Sequence, residues 1–154
     1  MERRAFIRNS AVLLAAAGLP GVLRSAEESP LIYLSPLKSD GNLSRCQAEV
    51  WFVQDGQDMC VVTATDAWRA QAVTQGLTQT QVWVGDVGAW GSGGEYKSLP
   101  SLAAQGGFVK DPLEHVRILA LFGTKYPDEW GTWGPRFKGG LADGSRVMLR
   151  YRRA

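Results

Sequence analysis

Thr63, Thr65 and Arg69 stand close together in the run Val61-Val62-Thr63-Ala64-Thr65-Asp66-Ala67-Trp68-Arg69-Ala70. Hydroxyls at the end of a strand, followed a helical turn later by a guanidinium near unsatisfied backbone N–H groups, are what a terminal phosphate needs. The same residues also make a purely structural pattern, with Thr65 or Asp66 capping a helix and Arg69 in solvent. Residue types alone leave both readings open. Elsewhere catalytic machinery is sparse. His115 is the one histidine, and Cys46 and Cys60 fall on predicted strands. Neither a zinc cluster nor a Cys-His or Ser-His-Asp arrangement can be drawn from them, and no metal site is expected. Paired carboxylates at a recognisable spacing are missing too, so hydrolysis is disfavoured and no catalytic residue is assigned. A bound cofactor would remove the need for such side chains, leaving the protein to bind, orient and polarise. The glycine-rich stretch Gly88 to Gly94 lacks both the GxGxxG order and a helix directly after it, and reads as a flexible connection.

The elements that must position these residues are mostly strands. Val50-Trp51-Phe52-Val53 and Met59-Cys60-Val61-Val62-Thr63 flank the turn Asp55-Gly56-Gln57-Asp58 and are rich in β-branched and aromatic residues, which predicts a β-hairpin. A tight turn places Cys60 opposite Val53. Cys46 would then lie opposite Ala67, on the other face of the ladder, so two buried thiols are expected rather than a disulfide. Both faces of the hairpin are apolar, as in a barrel or sandwich wall covered on two sides. A short helix follows from Thr65 or Asp66 to Gly76, then a strand over Thr80 to Val84. Leu99 to Ala104 reads as a turn of helix and Gly107 to Val109 as an edge strand. Asp111-Pro112-Leu113-Glu114 matches a capping box, starting a helix that runs to about Lys125 before Pro127. Asp128 to Phe137 adds a second short helix, and Arg146 to Tyr151 a half-exposed closing strand. Tyr126, Trp130, Trp133 and Arg136 cluster around the helix break and read first as a subunit interface, second as a pocket lining.

The N-terminus reads as an address. Arg3, Arg4, Phe6 and Arg8 precede a weakly apolar, alanine-rich run from Ala11 to Leu19, the layout of a twin-arginine signal peptide and too short for a membrane span. Export to the periplasm by the twin-arginine machinery is expected, with cleavage after Ala26. Arg24 fits the cleavage rule poorly, which leaves a retained signal anchor as the alternative. Without residues 1–26 the chain loses four arginines and one glutamate, and its net charge falls from +2 to −1. The basic balance belongs to the leader, and no patch for nucleic acid remains. The expected organisation is a signal peptide over 1–26, an N-terminal arm over 27–44 that contains one short strand from Leu31 to Leu34, and one domain over 45–154.

In order along the chain, Glu49-Val50-Trp51-Phe52-Val53, the Val62-Thr63 strand end with Trp68-Arg69 after it, Val82-Trp83-Val84-Gly85 and Leu149-Arg150-Tyr151 resemble the pyridoxamine-phosphate-oxidase-like split β-barrel proteins. These are a superfamily of flavin and deazaflavin binders. The resemblance spans most of residues 44–151 and implies a mainly β, antiparallel split barrel with a few helices (α+β), paired as a homodimer. It implies FMN or a deazaflavin as cofactor, with Thr63, Thr65 and Arg69 on the phosphate, and an oxidoreductase acting on a small molecule. Trp51, Trp68 and Trp83 are candidates to stack on the flavin ring, against the alternative that they are core. His115 would be the axial ligand if the barrel bound haem, as some relatives of this fold do. The reading from a different class is a non-catalytic barrel kept for dimerisation or for another ligand.

Overall fold

The structure is a computed structural model and describes residues 28–44, 48–89 and 94–154. The signal peptide, Cys46 and the middle of the glycine-rich loop lie outside the described residues. The strands are β1 (Ile32–Pro36), β2 (Ala48–Val50), β3 (Val53–Asp55), β4 (Asp58–Ala64), β5 (Gln79–Val84), β6 (Ser101–Val109) and β7 (Arg146–Arg153). The helices are α1 (Trp68–Thr74), α2 (Pro112–Lys125) and α3 (Pro127–Asp143), with a 3-10 turn at Glu95–Ser98. No described helix is long and apolar enough to cross a membrane.

All seven strands form one antiparallel sheet in the order β2-β1-β5-β6-β7-β4-β3. Its two outermost strands, β2 and β3, are separated in sequence by Trp51 and Phe52 alone. The sheet must therefore curl until its edges nearly meet. The inside of the curl holds Ile32, Leu34, Phe52, Val61, Val82 and Leu149, all buried. Outside, Val53, Cys60, Val62 and Met148 pack beneath Ile118 and Phe122 of α2 and Phe137 of α3. On another part of the outer surface Tyr33 and Trp83 pack with Tyr96. Strand alternation sends successive residues of β4 to the two sides, and both are apolar because both are covered.

The expected hairpin is present, with Cys60 paired to Val53 across the turn. Its first strand is not continuous. Val50 pairs with β1 and Val53 with β4, so the chain leaves one edge of the sheet and joins the other at Trp51-Phe52. Within the expected N-terminal arm, β1 lies inside the sheet between β2 and β5. The strand expected at Gly107–Val109 is the end of a nine-residue strand, β6, which lies between β5 and β7 rather than at an edge and begins at Ser101, where a helical turn is expected over Leu99–Ala104. Small residues give β6 little strand propensity of its own. Gly106 is required by packing, since a Cβ there would lie 3.0 Å from the Tyr151 ring and 3.2 Å from Val73. The expected α1 cap is also corrected. The N-cap is Ala67 with no side-chain cap, because the Thr65 hydroxyl donates instead to the Gly144 carbonyl at 2.6 Å.

Asp111 caps α2 as expected, accepting from the Leu113 N–H at 3.0 Å, while Glu114 turns to Arg117 at 2.7 Å. α3 runs past Phe137 to Asp143 and stops at Gly144, whose φ of 84° suits glycine. The aromatic side chains at the helix break pack on one another and on the outer side of the sheet, with Trp130 and Trp133 half-buried. Tyr126 is buried, Trp130 stacks on Phe122, and Trp133 packs on Phe137, with only Arg136 exposed. Tyr126 also stacks on Trp51 with ring centroids 4.4 Å apart. Its hydroxyl accepts from the Phe52 N–H at 3.1 Å and lies 2.9 Å from the carbonyls of Phe52 and Pro30, to one of which it donates. This phenol holds the corner between β2 and β3, and burial pushes its pKa up to about 12. Tyr126→Phe should cost about 1–3 kcal/mol in urea unfolding, because the Phe52 N–H loses its acceptor in the core. A loss below the error of the measurement would show that the corner is held by packing alone.

Candidate functional site

The phosphate candidates separate once the chain folds. Thr63 is buried and shares the inner side of β4 with Met59 and Val61. Thr65 is engaged at the α3–β7 turn through Gly144. Arg69 lies on α1, four residues before Val73, so both side chains share one face of that helix. Val73 meets the ring side of Tyr151 at Gly106, and the Arg69 charge reaches the Tyr151 phenol. Burial pushes the Tyr151 pKa well up, and Arg69 partly offsets this. Three polar atoms around this helix and inner wall, Thr63 Oγ1, Trp68 Nε1 and Tyr151 OH, are buried without a hydrogen-bond partner among the described residues. Each such atom costs about 1–3 kcal/mol unless a water or ligand completes it. Tyr151 was legible in the sequence only as part of the closing strand.

The tryptophans do not converge. Trp51 belongs to the aromatic cluster under α2 and α3, whereas Trp83 is T-shaped against Tyr96 at 5.0 Å in the other outer cluster. Trp68 alone stays beside Thr63 and Arg69 in the chain. Trp51 stands at the corner rather than on a strand, so alternation cannot aim it at the inner wall. His115, at the start of α2, has its Nε2 2.6 Å from the Val109 carbonyl oxygen, so that nitrogen carries the proton. It is not placed to ligate iron through Nε2. The Cys60 thiol is free and buried, which pushes its pKa up to about 11 and makes it a poor nucleophile. Among the described residues no group of histidine, cysteine and acidic side chains is set to hold a metal.

Comparison with solved structures decides the architecture. HutZ, the heme storage protein of Vibrio cholerae, superposes with a TM-score of 0.62 at 14% identity, over 88% of this chain and 89% of that one. A candidate pyridoxamine 5'-phosphate oxidase from Listeria innocua gives 0.58 at 13% identity, over 88% and 92%. The fold is the split β-barrel. A heme binding protein from Mycobacterium smegmatis matches the same split barrel with a TM-score of 0.58 at 12% identity, over 90% of this chain and 51% of that one. No protein-family model matches the sequence, and no curated protein matches it. At these identities the shared property is the split barrel itself.

The donor chemistry of the inner wall fits the phosphate end of a flavin mononucleotide. Thr63, Trp68 and Tyr151 supply buried O–H and N–H groups and Arg69 supplies charge. The Thr65 hydroxyl donates to the Gly144 carbonyl, and Trp51 and Trp83 lie in the two outer clusters.

Proposed function

We propose that this split barrel binds FMN, or a deazaflavin carrying a comparable phosphate, and uses it in a redox reaction on a small molecule. The observation that supports this reading is the set of buried, unpartnered donors Thr63 Oγ1, Trp68 Nε1 and Tyr151 OH beside the Arg69 charge. An anionic acceptor would complete all of them. When bound, the flavin supplies the two-electron chemistry for which the chain has no side chains of its own. The helix α1 packs over this wall through Val73, is seven residues long and has no side-chain N-cap. Export by the twin-arginine route belongs to the same proposal, since that route carries folded proteins with their cofactors. So does pairing of two copies, for which the exposed Leu113 and Val116 of α2 are the supporting apolar surface.

Purified protein should take up FMN with the yellow absorbance of a bound flavin. Arg69→Ala or Thr63→Val should weaken FMN binding by about tenfold or more, as expected for loss of a charge-assisted contact. A colourless protein that binds neither FMN nor a deazaflavin sinks the proposal. Binding without any reduction of the flavin by a donor would leave the non-catalytic module instead. Haem is the second reading, supported by the names of the Vibrio and Mycobacterium neighbours. Since the His115 Nε2 is engaged with Val109, ligation would use Nδ1, and a Soret band on adding haem that survives His115→Ala would argue against that histidine. A band lost in that variant would reinstate His115 as the ligand.

A further inference from the structure

We propose that a groove on the rim of the barrel, whose charged side chains are distinct from those of the inner wall although Phe108 and Val147 border both, binds an amphipathic anion. Its ligand would be a carboxylate or phosphate monoester on a compact apolar body. The groove has a volume of about 380 Å³ and lies between the end of β6, the start of α2 and the turn from α3 into β7. That is near the lower end of small-molecule sites, which run from about 300 to 1,000 Å³. Lys110, His115 and Arg146 line it together with Phe108, Leu141 and Val147, and no acidic side chain does.

The groove gathers two cations whose pairing differs from that of the arginines beside them. Elsewhere on the same face of the fold, Arg117, Arg150 and Arg152 each have a carboxylate partner. Lys110 and Arg146 have none among the described residues. Arg146 is instead held in place by packing. Its stem lies so close over Gly140 that a Cβ there would sit 2.6 Å from its Cγ and Cδ. Its guanidinium carbon stands 5.4 Å from the Phe137 ring centroid and 5.9 Å from that of Trp133. A cation positioned by aromatic faces keeps its N–H donors for a ligand. His115 donates from Nε2 to the Val109 carbonyl, which fixes the imidazole ring at the groove. Phe108, Leu141 and Val147 then offer apolar surface to the body of the ligand. Two cationic heads beside an apolar floor select an anion with an apolar tail over either a bare ion or a neutral apolar compound.

The test is a titration followed by tryptophan fluorescence, with Trp133 close to Arg146 as reporter. The probes are octyl phosphate, octanoate and octyltrimethylammonium, added to the full chain and to Arg146→Gln, Lys110→Gln and Thr63→Val. The octyl anions should saturate the signal and the ammonium should not. Octyl phosphate binding tighter than octanoate would assign the head as a phosphate monoester, and the reverse order a carboxylate. Arg146→Gln should weaken binding by about tenfold or more, Lys110→Gln by less, and Thr63→Val should leave it unchanged. Equal binding of the cationic amphiphile, or affinity unchanged in both Arg146→Gln and Lys110→Gln, overturns the groove. Loss in Thr63→Val would place the ligand at the inner wall and overturn it as well. Should Arg146→Gln melt early by circular dichroism, Lys110→Gln decides, because Lys110 is exposed. FMN affinity in Lys110→Gln should match the unaltered protein, so failure of the flavin reading and failure of the groove give different results.

Discussion

Phe52→Ala should be the most damaging single truncation at the barrel seam, lowering stability by about 3–5 kcal/mol in urea unfolding at pH 7. Phe52 is fully buried and sits at the point where the chain passes from one sheet edge to the other. Its ring fills the inside of the curl, and its backbone N–H donates to the Tyr126 hydroxyl. Removing the ring leaves a cavity bounded by strands that must keep their curvature for β2 and β3 to remain close, so the site has little freedom to collapse. The truncation also reaches Lys125, whose Nζ lies 3.4 Å from the centroid of the same ring. Burial there pulls the Lys125 pKa down to about 8. Opening the site to water should let that pKa rise towards the ordinary lysine value, which a pH titration of the amine by NMR would register. Leu113→Ala, at a side chain 79% exposed, is the control and should change stability by less than about 0.5 kcal/mol. A Phe52→Ala protein as stable as the control would mean that the seam carries no load.

Arg150→Met should cost about 2–4 kcal/mol at neutral pH, and the deficit should shrink in acid. Arg150 reaches Asp55 at 2.9 Å and Asp58 at 3.1 Å, and those two carboxylates face each other across the hairpin turn. Arg117 makes a bidentate contact to Asp55 at 2.9 and 2.7 Å, and about half of its side chain is exposed. The Arg117 hydrogen bonds first, and Arg150 second, hold Asp55 down to about 2. The stability it contributes is therefore fully present above its ordinary pKa of about 3.8 and lost as pH falls through about 2. Without Arg150, Asp55 loses one of the hydrogen bonds that favour its charged form, so it binds its proton at higher pH than before. The variant should then be weakest where Asp55 is ionised and should recover relative to the unaltered protein as pH drops below about 4. Urea midpoints at pH 7 and pH 3 test this. A deficit that stays constant between the two would assign the role of Arg150 to packing of its stem instead.

The hairpin, the capped helix α2 and the closing strand were legible because each is written locally, in a turn type, a cap and an alternation. The 3–4 spacing of Ile118, Leu119 and Phe122 announces a buried stripe whatever lies beneath it. β6 was not legible, since Ala103, Ala104, Gly106 and Gly107 have no strand preference and are held extended by β5 and β7 on either side. The break at Trp51-Phe52 was hidden for a related reason: apolar aromatic residues read as strand whether they pair or turn a corner. At the inner wall, Thr63 and Arg69 were visible from their types and spacing. Tyr151 was not, because it lies far along the chain and is brought to Arg69 by the pairing of β7 with β6. Lys110 and Arg146 gave no signal at all, since only the fold brings these two distant residues to the same groove.

The narrow seam also bears on how this protein avoids templating itself. A sheet's outermost strands expose rows of unpaired amides that can recruit further strands and start aggregation. Here those strands, β2 and β3, are three residues each, and they are neighbours along the same chain. So short a row offers an incoming strand few rungs to climb. Charged Asp55 lies at the end of one of them, tied into its ion-pair network. Association between copies would then have to proceed through side chains on a face, a contact that selection can tune residue by residue, rather than through backbone that any extended peptide can match.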